Sequence, residues 1–389
     1  MLIKIFTNTK TGCIKMSIEK ITAKTLLRKS KKIDSWFLSK YGMNIYRGCT
    51  HNCVYCDGRT EKYNVNGVFE KDIAVKINAP ELLVRELEAL KRKGDDRSGM
   101  ILLGGGVADS YQPAEEKYVV TRNCLEIISE YGYPVHILTK SLLVERDLDI
   151  LEKIRLKKGT VLSFSFSSTD DGISSIFEPG VPAPSEKLKL IKKLKSKGFT
   201  CGVFLMPVIP FITDLPEMID KTLYDLKKAS VDFVIFGGLT LKPGRQKEYF
   251  MNVLKENFPN LMTEYDMLYG SNNKYGGAMT EYYDSIYATF DLFSGKYKMA
   301  KRIPQSVYDG FLNETDKVIV ILEHIDYVLK SRGGKSPYGY AAYSISKIKE
   351  PISNMRFMLK SLKGVGRVTE KLILEILDTG KCSYYENLM

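Results

Sequence analysis

Tyr46-Arg47-Gly48-Cys49-Thr50-His51-Asn52-Cys53-Val54-Tyr55-Cys56 holds three of the chain's seven cysteines, spaced C-x3-C-x2-C. Thiolates this close in sequence can cap three irons of a [4Fe–4S] cube and leave the fourth iron without a protein ligand. An open iron is a place where a small molecule binds and receives an electron. Two other readings stand beside this one. His51 and the three thiols are four donors of the kind zinc takes, although zinc motifs usually come as two separated pairs. No second pair exists, because Cys13, Cys124, Cys201 and Cys382 are scattered. Three unrelated buried thiols would be a poor account of three cysteines in eight residues. The spacing favours the iron–sulfur site.

A chain of 389 residues that is 44% hydrophobic has room for one large domain of roughly 200–250 residues plus an appendage, or for two to three domains. No run of about 18 apolar residues is present to span a bilayer, so no membrane partner is expected. Met1-Leu2-Ile3-Lys4-Ile5-Phe6 is too short and too soon interrupted for a signal peptide. An odd number of cysteines clustered on one motif fits a reducing cytoplasm better than a disulfide scaffold. The formal charge is +12 and unevenly placed. Residues 1–42 carry ten Lys/Arg against Glu19 and Asp34, and the segment from Tyr327 to Lys371 carries ten against Glu350 and Glu370. Two basic ends around a balanced middle point to a polyanionic partner; a lysine-rich, well-solvated surface is the bland alternative.

Residues 1–42 read as a basic arm, with a short amphipathic piece from Ile33 to Leu38 that includes the single tryptophan, Trp36. From Met43 onward, apolar strand-like runs alternate with helical patterns, which predicts βα units and a parallel sheet. Strands are expected at Met43–Arg47, Met100–Leu103, Val135–Leu138, Thr160–Ser167, Cys201–Met206 and Asp232–Phe236. Helices are expected from Pro80 and Pro113, through Leu142 to Leu151, over Lys187–Leu194 and from Pro216. The fold class is α/β, a partial (β/α)6 TIM-like barrel with a helical C-terminal region, and such barrels place their chemistry on the loops after the strands. The cysteine loop follows the first strand. Gly104-Gly105-Gly106 follows the second and leaves backbone groups accessible to a ligand.

The C-x3-C-x2-C loop resembles the signature of the radical S-adenosylmethionine (SAM) enzymes. Asn44-Ile45-Tyr46-Arg47-Gly48-Cys49, Asp109-Ser110-Tyr111-Gln112-Pro113, Thr139-Lys140-Ser141 with Arg146-Asp147, Glu178-Pro179-Gly180-Val181-Pro182 and Pro207-Val208-Ile209-Pro210 narrow the likeness to the spore photoproduct lyase branch. That resemblance covers about residues 40–245. It implies a radical SAM core barrel over 43–245, a [4Fe–4S] cluster held by Cys49, Cys53 and Cys56, and SAM as a second cofactor. It also implies an electron donor such as flavodoxin or ferredoxin. In the family, the amino and carboxylate groups of SAM chelate the open iron, and one electron splits SAM into methionine and a 5′-deoxyadenosyl radical.

Carried over by position, the resemblance puts Tyr55 near the adenine, Gly104 and Gly105 at the methionine ammonium and Lys140 against SAM. It puts Ser165 and Ser167 on the strand facing the cofactor. Lys187 stands where the family usually has an arginine for the SAM carboxylate; lysine keeps the charge but loses the planar fork. The acidic residue that often ends the glycine motif is missing, which leaves Asp109 as the candidate acidic hook. A cysteine that returns hydrogen to the product in spore photoproduct lyase has no counterpart in Gly106-Val107-Ala108-Asp109, and Tyr111 becomes the alternative relay.

Residues 246–330 read as a helical region covering the barrel mouth, and Ser331-Arg332-Gly333-Gly334-Lys335-Ser336-Pro337 as a flexible basic linker. Beyond it, a helix is expected from Pro351 with Met355, Leu359 and Leu362 inward. Leu362-Lys363-Gly364-Val365-Gly366-Arg367-Val368-Thr369 then leads into a second helix. The pattern is similar to a helix-hairpin-helix module within 331–389. Its backbone N–H groups at Gly364 and Gly366 and the second helix's N-terminus make an anion site. Lys363, Arg367 and Lys371 add phosphate charge without reading bases. A plain helical hairpin with a glycine cap is the alternative. Together these features predict a cytoplasmic enzyme acting on nucleic acid, with DNA as the first target and RNA or a protein side chain as the second. A non-catalytic zinc or cluster protein that only binds nucleic acid is the third reading.

Overall fold

Ten strands are present in the computed structural model, which describes residues 17–63, 67–270 and 274–389. They are β1 (Ser17–Ile21), β2 (Leu27–Asp34), β3 (Ser39–Met43), β4 (Tyr46–Arg47), β5 (Asp72–Lys76), β6 (Met100–Leu103), β7 (Val135–Thr139), β8 (Thr160–Phe166), β9 (Thr200–Val208) and β10 (Phe233–Gly238). Seven form one sheet in the order β10-β9-β8-β7-β6-β3-β2. Within it β3 and β6 to β10 run parallel, and β2 lies antiparallel to β3 at one edge. Helices Ala79–Arg92, Val120–Tyr131, Leu148–Lys157, Pro184–Ser196 and Pro216–Lys228 connect the parallel strands. The result is a curled partial TIM-like barrel of mixed α/β class with added helices.

The two faces of the sheet bury different partners, as the period-two alternation of strands requires. Ile101, Ile137, Leu162 and Val203 pack outward on the connecting helices. Met100, Val161, Phe204 and Ile235 share a second core with Val318, Ile319, Ile321 and Leu322 of helix Glu314–Ser331. That helix is buried at five consecutive positions, Val318 to Leu322, as expected of a helix enclosed all round. Residues after the barrel strands therefore pack against the second face of the sheet.

Several expectations need correction. The sequence runs the first strand from Met43 to Arg47, but β3 ends at Met43 and Tyr46–Arg47 pairs with β5 in a separate small sheet, β1-β5-β4. Met43 and Ile45 are both buried, so the apolar alternation continues across the break and hides it. The basic arm is not an arm from Ser17 onward: β1, β2 and β3 are built from it. Arg28, Lys29 and Lys31 are exposed on β2, an edge strand, where charged side chains discourage pairing with another chain. Residues 1–16, with Cys13, lie outside the described residues.

At the other end, the linker expected after Ser331 is a tight turn, with Gly333 at φ +75°, into helix Tyr338–Ile345. The helix expected from Pro351 is two short 3-10 turns, Ile352–Met355 and Leu359–Ser361, ahead of helix Arg367–Thr379. A Cβ on Gly364 would meet Tyr340 Cδ1 at 2.8 Å and Ala341 N at 3.0 Å. That glycine lets its turn pack against helix Tyr338–Ile345, so the hairpin is not the simple helix pair the pattern suggests.

Candidate cluster and cofactor site

The cysteine loop is fixed from four sides. Gly48 at φ +74° and Asn52 at φ 54° turn the backbone. Gln112 braces its first half, accepting from Thr50 N at 3.1 Å and donating to Gly48 O at 3.2 Å. His51 spans the loop, with Nδ1 3.1 Å from Gly180 O and Nε2 3.1 Å from Asp109 Oδ2. The segment after β8 closes the third side, where Val54 N donates to Phe177 O at 2.8 Å and Gly180 N to His51 O at 3.0 Å. A Cβ on Gly180 would lie 2.4 Å from Thr50 O and 2.8 Å from His51 O. That close approach explains the glycine of Glu178-Pro179-Gly180. On the fourth side Arg59 donates to Cys53 O at 3.2 Å and lies under the Tyr249 ring at 3.6 Å, and Gln246 donates to Tyr55 O at 2.8 Å.

Cys49 and Cys53 are buried and Cys56 is half-buried. Burial pushes all three thiols up, Cys49 to about 12, while Lys140 pulls Cys53 back down. Gly58 N donates to Cys56 Sγ at 3.4 Å. Three sulfurs on one loop, with an N–H donor and a lysine nearby, fit an iron cluster, whose charge holds buried thiols as thiolates. They fit zinc poorly. Both His51 nitrogens are already engaged within the protein, one beside Gly180 O and one beside Asp109 Oδ2. Among the described residues, no three His, Cys, Asp or Glu side chains converge tightly enough for a single ion.

Behind the loop lies a buried charge cluster. Glu178 and Lys187 have fully buried side chains, and Lys140 is 13% exposed. Lys140 Nζ lies 3.1 Å from Glu178 Oε1 and 3.0 Å from the Tyr55 hydroxyl, and Lys187 Nζ lies 3.6 Å from Glu178 Oε2. Tyr55 donates a hydrogen bond to Glu178 Oε1. Lys187 also donates to Ser165 O at 3.2 Å and lies 4.3 Å from the centroid of the Phe166 ring. Burial alone would raise the Glu178 carboxyl, but Lys140 and Lys187 outweigh it and hold it well below the usual range. Burial pushes Lys187 down against the pull of Glu178.

The structure thus brings Tyr55, Lys140, Lys187 and Ser165 together next to Cys53. Ser167 Oγ is buried at the end of β8 with no hydrogen-bond partner, as is Thr50 Oγ1 in the loop. Such orphaned hydroxyls suit a polar ligand. Gly104, at φ +83°, passes so close to β7 that a Cβ would lie 1.9 Å from Leu138 O, and one on Gly105 would lie 2.2 Å from Leu102 Cδ2. Only glycine makes that turn.

Asp109 is used inward. Its carboxylate accepts from His51, from Thr139 Oγ1 at 2.8 Å, from Lys140 N at 2.8 Å and from Tyr111 N at 2.8 Å. It ties the cysteine loop to the ends of β6 and β7. Tyr111 is fully buried on the outer side of the sheet, with its phenol among Asp147, Glu115 and Arg146. It is not gathered at the loop. Lys363, Arg367 and Lys371 are exposed at and before helix Arg367–Thr379. Along the chain, Glu178 and Gln112 stand out only within motifs, and Arg59 and Gln246 not at all. The one available signal is the glycine after Pro179, which marks a close backbone contact.

A parallel half-barrel carrying three cysteines between its first two parallel strands, β3 and β6, with buried lysines beside them, defines an iron–sulfur enzyme of the SAM-cleaving class. The chain belongs to the radical SAM superfamily, whose description matches residues 43–226. Members use a [4Fe–4S] cluster and SAM. An uncharacterised protein of Mycobacterium tuberculosis is 32% identical over 59% of this chain and 67% of its own length. One of Methanocaldococcus jannaschii is 30% identical over 63% and 85%. Among solved structures, spore photoproduct lyase complexed with dinucleoside spore photoproduct superposes with a TM-score of 0.53 at 15% identity, covering 72% of this chain and 79% of that one. A variant of that enzyme with bound AdoMet and the same dinucleoside gives 0.50 at 16% identity, covering 70% and 78%. No helix among the described residues is long and apolar enough to cross a membrane.

Proposed function

We infer that this protein uses radical SAM chemistry to abstract hydrogen from a nucleic-acid substrate, a DNA base lesion in the manner of a photoproduct lyase. One observation carries this: the cysteine loop and buried lysine pair stand in a half-barrel whose fold resembles spore photoproduct lyase. Charge supports it. The chain is +12 overall, and Lys363, Arg367 and Lys371 stand exposed around Gly366, where an added Cβ meets nothing, an arrangement suited to phosphate contacts.

When bound, the cluster and SAM supply a 5′-deoxyadenosyl radical. Cys49, Cys53 and Cys56 would hold the iron. Lys140, Lys187, Ser165, Ser167 and the backbone at Gly104 and Gly105 would hold SAM, with Tyr55 beside them. The chain's own work is to orient and exclude water. Val54, Phe177, Phe250 and Tyr265 form an apolar cover on the loop. Glu178 keeps two lysine charges buried at the site. A base inside duplex DNA would have to leave the stack to reach it. An electron donor such as flavodoxin or ferredoxin completes the scheme.

Cys124, Cys201 and Cys382 belong to cores away from the loop. No cysteine outside the motif is thus placed to return hydrogen among the described residues. That favours keeping RNA or a protein side chain as the second target class. The deciding experiment incubates anaerobically reconstituted, reduced protein with SAM and deuterium-labelled irradiated DNA, with RNA in a parallel arm. Deuterium in 5′-deoxyadenosine from the DNA arm supports the reading; label from RNA alone moves the target; label from neither removes nucleic acid as substrate.

A further inference from the structure

Beside the cysteine loop, β2, β4, β5 and the glycine turn after β6 enclose a cleft of about 590 Å³. Arg28 from β2, Arg47 from β4 and Lys76 from the end of β5 line it, and no described carboxylate does. The larger cleft between β2 and helix Glu314–Ser331 is different, because its Lys32 and Lys330 are paired with Glu323 and Asp326. Arg28 and Arg47 are exposed. Lys76 donates to Asn44 O at 2.5 Å. Burial and the neighbouring Arg47 push Lys76 below the ordinary lysine value, with Glu86 pulling the other way. Glu86 is already committed to the N–H groups of Leu26 at 3.0 Å and Leu27 at 2.7 Å. Three like charges around one concavity, without a committed counter-ion, repel one another and gain most when an anion joins them.

The position narrows the anion. Gly48, next to Cys49, and Val107, whose carbonyl lies 4.0 Å from Cys56 Sγ, belong to the same wall. Whatever fills the cleft therefore lies against the cluster loop. Gly105 and Gly106 give that wall no side chains, and Tyr63 adds an aromatic face. Cations spread over three strands suit charge spaced along a chain better than one compact anion. An aromatic ring among them suits a base between phosphates. Lys140, just after β7, and Lys187, on helix Pro184–Ser196, do not line the cleft.

We propose that this cleft seats the sugar–phosphate backbone of the nucleic-acid substrate beside the cluster, with Arg28, Arg47 and Lys76 meeting its phosphates and Tyr63 a base. This rests on the nucleic-acid reading above. Its test uses anisotropy of a fluorescein-labelled single-stranded DNA 15-mer against the reconstituted full chain, titrated with salt. Arg28→Gln and Arg47→Gln should each weaken binding several-fold and flatten the log–log salt slope by about 0.7, one phosphate contact. Arg28→Lys should restore the slope. Lys153→Gln, exposed on helix Leu148–Lys157, controls for net charge.

SAM cleavage without DNA should keep its KM for SAM in Arg28→Gln. If that KM rises, the cleft serves the SAM carboxylate and the proposal fails. Equal losses in Lys153→Gln would reduce the effect to bulk charge and overturn the site. Wild-type binding that Arg28→Gln and Arg47→Gln leave unchanged would overturn the cleft while sparing the nucleic-acid reading. Absence of wild-type binding would remove both.

Discussion

Replacing Glu178 by glutamine tests the buried charge cluster directly. The substitution keeps volume and removes the charge that faces Lys140 at 3.1 Å and Lys187 at 3.6 Å. Breaking a buried ion pair by deleting one partner costs about 3–5 kcal/mol, because the remaining charge stays desolvated. Lys187 has no exposed side-chain surface through which to recover water, whereas Lys140 is 13% exposed and recovers some. The expected loss is therefore about 3 kcal/mol, toward the lower end of that range. Urea unfolding followed by circular dichroism reads it as a lower midpoint at unchanged slope. Lys187→Met on the Glu178→Gln background should recover about 1 kcal/mol or more, since it removes the stranded charge. A Glu178→Gln protein within about 0.5 kcal/mol of the parent, or strict additivity in the cycle, would refute the account of two lysines held by one carboxylate.

Gly180→Ala must push a methyl against Thr50 O and His51 O; overpacking of this kind costs about 1–3 kcal/mol, and iron retained per chain after anaerobic reconstitution should fall with it. His136 and His324 are buried and neutral, pushed down by burial to about 4 and about 3 from the ordinary 6.5. Their contribution is complete above the unfolded value and declines as pH falls toward the folded ones, so unfolding free energy should drop by about 2 kcal/mol per histidine between pH 8 and 5. Unfolding curves for His324→Gln should show a shallower decline, and an unchanged pH profile would contradict the burial argument. Tyr111→Phe should leave the reaction products unchanged, because the phenol faces Asp147 and Glu115 on the outer side of the sheet. An altered product distribution, read by chromatography and mass spectrometry, would reinstate Tyr111 as a relay.

Much of the fold was legible because its signals are local. Parallel strands buried on both faces read as continuous apolar runs, as at Met100-Ile101-Leu102-Leu103, and three cysteines in one loop mark a candidate cluster site. The sequence by itself therefore settled the alternation of strand and helix, the cluster ligands as candidates and the glycine turn after β6. Contacts between distant segments were not legible. His51 can be a zinc ligand on paper; only folding brings Asp109 and Gly180 onto its two nitrogens. Lys140, Glu178 and Lys187 are separate charges along the chain, and tertiary structure alone makes them one buried cluster, because desolvation forces opposite charges together. The basic stretch before Met43 looks like a solvated arm until its partner strands are known. Arg28, Arg47 and Lys76 converge only because two sheets meet beside the cysteine loop. Charge and burial are properties of neighbours in space, and a linear chain does not state who those neighbours are.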